Sequence, residues 1–79
     1  MQYNLAEMSA EMMMDYSDII RMIRNEKLSD SDWTQLPDAP LSAEKKQEWL
    51  AYRAYLRDYP LQFVGLEHYP DVITFNTQP

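Results

Sequence analysis

Three prolines constrain this chain more than any other feature. Pro37, Pro40 and Pro60 bracket a run, 41–59, that contains neither glycine nor proline. Proline lacks an N–H donor and pushes the residue before it out of helical geometry, so a helix fits between Pro40 and Pro60 but passes through neither. Ser42 stands at the N-cap position of such a helix and Glu44 in its first turn. Trp49, Tyr52, Leu56 and Tyr59 then recur at steps of three, four and three, which puts them on one face, with Leu50 and Tyr55 off it. The spacing predicts a helix over 43–58, or 42–59 with its flanking residues, that buries an aromatic stripe.

Upstream, Asn4 and Glu7 form a capping-box pair. Leu5, Met8, Met12, Tyr16, Ile19 and Ile23 recur at helical intervals. Acids come early (Glu7, Glu11, Asp15) and bases late (Arg21, Arg24, Lys27), which suits the helix dipole. With no glycine or proline in the segment, the reading is one helix over 5–27. Ser29, Asp30, Ser31 and Asp32 favour local side-chain-to-backbone bonds. Pro37 and Pro40 hold Leu36 and Ala39 extended, and Asp38 is a turn acceptor. Residues 28–41 are therefore a loop carrying Trp33, with one short helical turn near 31–35. After Pro60 the pattern is irregular, and Val72–Phe75 has strand propensity without an evident partner edge. The expected fold is a mainly α single domain over 1–79. It is a two-helix hairpin (about 5–27 and 43–58) joined by the proline loop, with an extended 60–79 tail holding one short strand.

Composition narrows function by exclusion. At 79 residues the chain has one small core and a thin stability margin. It has no cysteine, so tight helix packing, self-association or a partner must supply the rest. The formal charge of −6 argues against nucleic-acid binding. No apolar run reaches the roughly 18 residues of a membrane span, and the Met-rich start carries acids where a signal peptide carries bases. The reading is a soluble cytoplasmic protein. His68 is the only histidine and Gly65 the only glycine, so neither a metal set nor a phosphate loop is present. Glu7, Glu11 and Asp15 at one-turn spacing read as a solvated face. No cofactor, metal or catalysis is expected.

Binding is the remaining class. Off that stripe, Trp33 and Tyr55 add large apolar area suited to core or docking. Met8, Met12, Met13 and Met14 crowd two turns, next to Tyr16. Met13 and Met14 fall well off the buried stripe, which marks a face for a partner or a homo-oligomer. Arg53 and Arg57, one turn apart, call for acidic partners, with Asp32 and Asp38 available in the loop and Trp49 available for a stack.

One stretch also resembles a known family. Arg24, Asn25, Leu28, Asp32–Leu41 (DWTQLPDAPL), Trp49, Tyr52, Arg53, Leu56, Arg57, Asp58 and Pro60 are similar to the pattern of the small tail-assembly chaperones of tailed bacteriophages. Asp32, Trp33, Pro37, Asp38, Pro40, Trp49, Tyr52, Arg53, Leu56, Arg57, Asp58 and Pro60 would form its structural motif. The resemblance implies a non-enzymatic protein that binds unassembled tail or tail-fibre protein, in the host cytoplasm during assembly. A minor component retained in the virion and an acidic inhibitor of a host enzyme are the alternatives. The chain departs from the pattern at Glu26–Lys27, where a leucine pair is usual, at Tyr55, where a small residue is usual, and at Phe75–Asn76 near the end. Residues before Arg21 match nothing in it.

Overall fold

In the computed structural model, which describes residues 1–79, Asn4 Oδ1 accepts the Glu7 N–H at 3.0 Å and opens helix α1 (Leu5–Met12). The helix expected over 5–27 does not continue. Met13 takes a left-handed backbone (φ 55°) and its N–H closes on the Ser9 carbonyl at 2.8 Å. The Ser9 hydroxyl donates to the Met14 carbonyl at 2.6 Å, and Asp15 is extended before α2 (Tyr16–Asp30) begins. A straight helix over 5–27 would be about 35 Å long. It would carry Leu5 away from the residues it now packs with. The break folds α1 back so that Leu5, Ile19, Ile20 and Ile23 share one core. It also takes Met12 off the expected stripe and leaves it exposed.

The second predicted helix, α3, spans Ala43–Asp58, and Ser42 Oγ accepts the Lys45 N–H at 3.1 Å. Trp49, Tyr52, Leu56 and Tyr59 are all buried along its stripe. Between α2 and α3 a 3₁₀ turn spans Asp32–Gln35, and a second, Tyr59–Phe63, follows α3 with Pro60 near its start.

The strand in the tail finds its edge at the N-terminus. Strand β1 (Gln2–Asn4) pairs antiparallel with β2 (Val72–Thr74), Tyr3 opposite Ile73. The ladder is extended by Phe75 N–H to the Met1 carbonyl at 2.9 Å and by Leu5 N–H to the Asp71 carbonyl at 2.6 Å. The fold is thus mainly helical, with three α-helices and a two-stranded sheet.

Aromatic rings tie these parts together. Trp33 meets Trp49, Trp49 meets Tyr52, and Tyr52 stacks on Tyr55, with centroids 5.9, 5.8 and 6.1 Å apart. Tyr55 then meets Tyr59 edge-on, and Tyr59 stacks on Phe75 at 3.9 Å. Each such pair contributes about 0.5–1.5 kcal/mol beyond area burial. In so small a domain, a chain of them running from the loop to the tail is a large share of the specificity of packing.

Candidate partner-binding surface

The Trp33 loop is held in place by Arg53, and the arrangement follows from where Arg53 sits on α3. Its guanidinium reaches the end of α2, where the last carbonyls have no helical partner. One nitrogen donates to the Leu28 carbonyl at 2.8 Å and to Ser31 Oγ at 2.7 Å, and the other donates to Asp32 Oδ1 at 2.9 Å. A cation at a helix C-terminus is also favoured by the dipole. Ser31 and Thr34 are buried, and the Thr34 hydroxyl donates to the Ser31 carbonyl at 2.7 Å. Of the two acids expected to meet the arginines, Asp32 does so, whereas Asp38 enters no ion pair and neither does Arg57. The Arg57 carbonyl instead accepts from Arg24 at 3.1 Å, a second tie between α2 and α3.

This clamp presents Trp33 on its edge against Trp49, with 44 % of the side chain's residue surface still open. Leu36 and Leu50 are exposed as well. The other residues expected to bind a partner divide. Met13 is 92 % exposed and Met12 is exposed. Met8, Met14 and Tyr16 are half-buried against the core. Tyr55 is half-buried in the aromatic chain, and its hydroxyl accepts the Asn76 N–H at 2.9 Å. The structure therefore brings Trp33 together with the arginine clamp and separates it from the methionine corner, which sits at the α1–α2 turn.

Three tyrosines have hydroxyls held in the neutral form. Burial pushes Tyr59 up to about 12, with Tyr55 adding to it, and its hydroxyl donates to the Thr74 carbonyl at 2.9 Å. Burial also raises Tyr52, against the opposing charge of Lys27, and the Tyr52 hydroxyl is buried with no hydrogen-bond partner. Tyr16 is raised by its 3.0 Å bond to Asp71. For Tyr52 and Tyr59 the shift comes first from burial, and for Tyr16 from its bond to the Asp71 carboxylate.

The concavities are small or shallow. A cleft of about 80 Å³ opens between the first turns of α2 and the 60–69 segment, lined by Ile20, Arg21, Leu61, Phe63, Val64 and Tyr69 among others. A broader, open groove of about 420 Å³ lies between α3 and the last residues of the tail, with Lys45, Tyr55 and Asn76 in its walls. The cleft and the exposed Leu61, Val64 and Leu66 beside it were not anticipated from sequence. The signal was the run Leu61–Leu66, apolar at four of six positions, which fits neither a helical nor a strand period. No three of the histidine and acidic side chains gather as a metal site, and no helix is long and apolar enough to cross a membrane.

Residues 17–70, more than half the chain, match the phage tail assembly chaperone protein family. The chain belongs to that family. No curated protein and no solved structure matches it significantly. The matched region takes in α2, the Trp33 loop, α3 and the turn after it, and ends at Pro70. It leaves out β1, α1 and β2. Trp33, Tyr55 and the arginine clamp therefore lie inside the family region, while Met8, Met12, Met13, Met14 and Tyr16 lie before it.

Proposed function

We propose that this protein is a non-catalytic assembly factor that binds unassembled phage tail or tail-fibre protein in the host cytoplasm, with Trp33 at the centre of the contact. The observation that carries the reading is the state of Trp33. It lies in the family region, and three hydrogen bonds from Arg53 fix the segment that bears it. Yet 44 % of it remains open. A large aromatic on a rigid support, partly exposed, is the residue type most enriched at interface hot spots. A fixed loop also spares the ordering cost that a mobile one incurs on binding.

The test is co-expression of the tagged chain with the phage's tail-tube and tail-fibre proteins, followed by pull-down. The native protein retains one of these proteins at micromolar concentration, and Trp33→Ala weakens retention by about tenfold or more. Leu36→Ser, which alters an exposed neighbour, weakens it without loss of fold, as far-UV circular dichroism will show. Retention of neither tail protein refutes the reading. Mass spectrometry of purified particles adds a second arm. Absence from the particle agrees with a transient assembly role, and stoichiometric presence points instead to a retained structural component.

A further inference from the structure

We propose that the cleft between α2 and the 60–69 segment receives Met13 of a second copy. The result is a two-fold dimer in which Asp15 of each copy faces Arg21 of the other. The cleft is about 80 Å³, well below the roughly 300–1,000 Å³ of a site for a drug-sized ligand, so its occupant is of the order of one apolar side chain. Its walls are Ile20, Phe63 and Tyr69, with Leu61 and Val64 at the rim, and Val64 is 73 % exposed. Arg21 is also in the lining, and it takes part in no ion pair.

Met13 supplies what the cleft lacks. It is 92 % exposed, the most open large apolar residue in the chain. Its left-handed backbone is disfavoured for any residue with a side chain, and the bonds from Met13 N–H to Ser9 and from Ser9 Oγ to Met14 fix it there. Nothing inside a single copy benefits from a methionine at this point, where glycine would sit without strain. The turn thus holds an unbranched apolar side chain outward on a short, pinned corner.

Charge and position select a second copy as the occupant. Residues 1–20 contain Glu7, Glu11, Asp15 and Asp18 and no lysine, arginine or histidine, and none of these acids is in an ion pair. The Met13 corner is therefore an apolar projection flanked by carboxylates, and the cleft is an apolar recess flanked by an arginine. Filling the cleft takes an apolar projection flanked by carboxylates, and this chain carries one at Met13, between Glu11 and Asp15. Met13 lies four residues before Ser17, which belongs to the cleft lining, so projection and recess adjoin on one end of α2. A two-fold axis pairs each residue i with j and j with i, so one docking satisfies both clefts. Exposed Met12, Leu61 and Val64 surround the seat and would be covered with it.

Sedimentation and light scattering of the full chain from about 1 to 200 µM test this by mass action. The mass rises with concentration from 9.4 kDa for one copy to that of two. Met13→Gly suits the left-handed backbone and so keeps the fold; it raises the dimer dissociation constant about tenfold or more. Asp15→Arg and Arg21→Asp each weaken the dimer, and the two together restore it to within about threefold of native. A native chain that stays monomeric at about 200 µM overturns the proposal, as does a dimer indifferent to Met13→Gly. Failure of the double reversal to restore association overturns the Asp15–Arg21 pairing. Dimer formation is read without any tail protein, so its outcome is independent of the pull-down above.

Discussion

Arg53→Ala is the perturbation that best tests how this domain holds together. Arg53 makes three bonds, but they are not equal. Asp32 has 66 % of its side chain in water, so the ion pair itself contributes about 0–1 kcal/mol. The bonds to the Leu28 carbonyl and Ser31 Oγ are different, because the Arg53 side chain is only 14 % exposed and Ser31 is buried. Neither acceptor is orphaned by the change. The Leu28 carbonyl keeps the Ser31 N–H at 3.2 Å and the Ser31 hydroxyl at 3.1 Å. The loss is therefore the net worth of two charge-assisted bonds at the low end of their range, and with the ion pair it comes to about 3 kcal/mol. Asp32→Asn should cost less than about 1 kcal/mol, and Arg53→Lys an intermediate amount, because an ammonium cannot serve both arms of the fork. Urea unfolding followed by tryptophan fluorescence measures all three. With a slope near 1 kcal/mol/M for so small a chain, Arg53→Ala moves the midpoint by about 3 M. A loss under about 0.5 kcal/mol for Arg53→Ala would refute the clamp. Equal losses for Arg53→Ala and Asp32→Asn would show that the ion pair, not the helix end, is what matters.

Other predictions follow from the core. Tyr52→Phe removes a buried hydroxyl that has no partner, so thermal melts should show a stabilisation of about 1 kcal/mol. Phe75→Ala should cost about 3–5 kcal/mol, because Phe75 is 1 % exposed and stacked on Tyr59; denaturant unfolding measures it. Stability should fall on the alkaline side. A tyrosine unfolded at 10.0 and folded at about 12 binds more protons in the native state, so its contribution is intact below pH 10 and is lost between 10 and 12. The loss from Tyr59 approaches about 2 kcal/mol, and Tyr59→Phe should flatten the profile when melts at pH 9 and pH 11.5 are compared.

Local rules made α3 legible, because its signals lie within the helix or within two residues of it: Ser42 as cap, Pro60 beyond its end, and the aromatic stripe between. Pro60 nonetheless leaves Tyr59 helical (φ −50°, ψ −46°) and marks a change to 3₁₀ geometry, not a full stop. The break at Met13 was not legible in the same way. Its cause is a side-chain bond from Ser9 to a carbonyl five residues on, together with the demand that Leu5 and Ile20 reach one core, and neither is a periodic pattern. The β1–β2 pairing was hidden because a three-residue strand has almost no signal of its own; the partner of Ile73 is Tyr3, seventy residues away in sequence. At the candidate surface, composition alone could flag the methionines but could not say that Met14 turns inward while Met13 stays out. The sequence points Arg53 toward an acid. Its stronger partners are a carbonyl and a hydroxyl at a helix end, visible only once α2 and α3 are packed.

The family region does not close its own core. Leu5, Ile73 and Phe75 lie outside residues 17–70, yet all three are buried with Ile19, Leu56 and Tyr59. Phe75 covers Tyr59 and is itself edge-packed by Tyr3 at 5.8 Å, while the Lys27 ammonium lies 5.4 Å from both the Tyr3 and Phe75 rings. The two ends of the chain thus form a lid that depends on β1 meeting β2, and α1 with its Met13 corner is attached to that lid rather than to the Trp33 loop. This separation has a consequence for function. Substitutions at Met13 should alter self-association and leave tail-protein capture in place, whereas substitutions at Trp33 should do the reverse. Measuring both properties on both variants decides the matter, since a single shared surface would make the two losses move together.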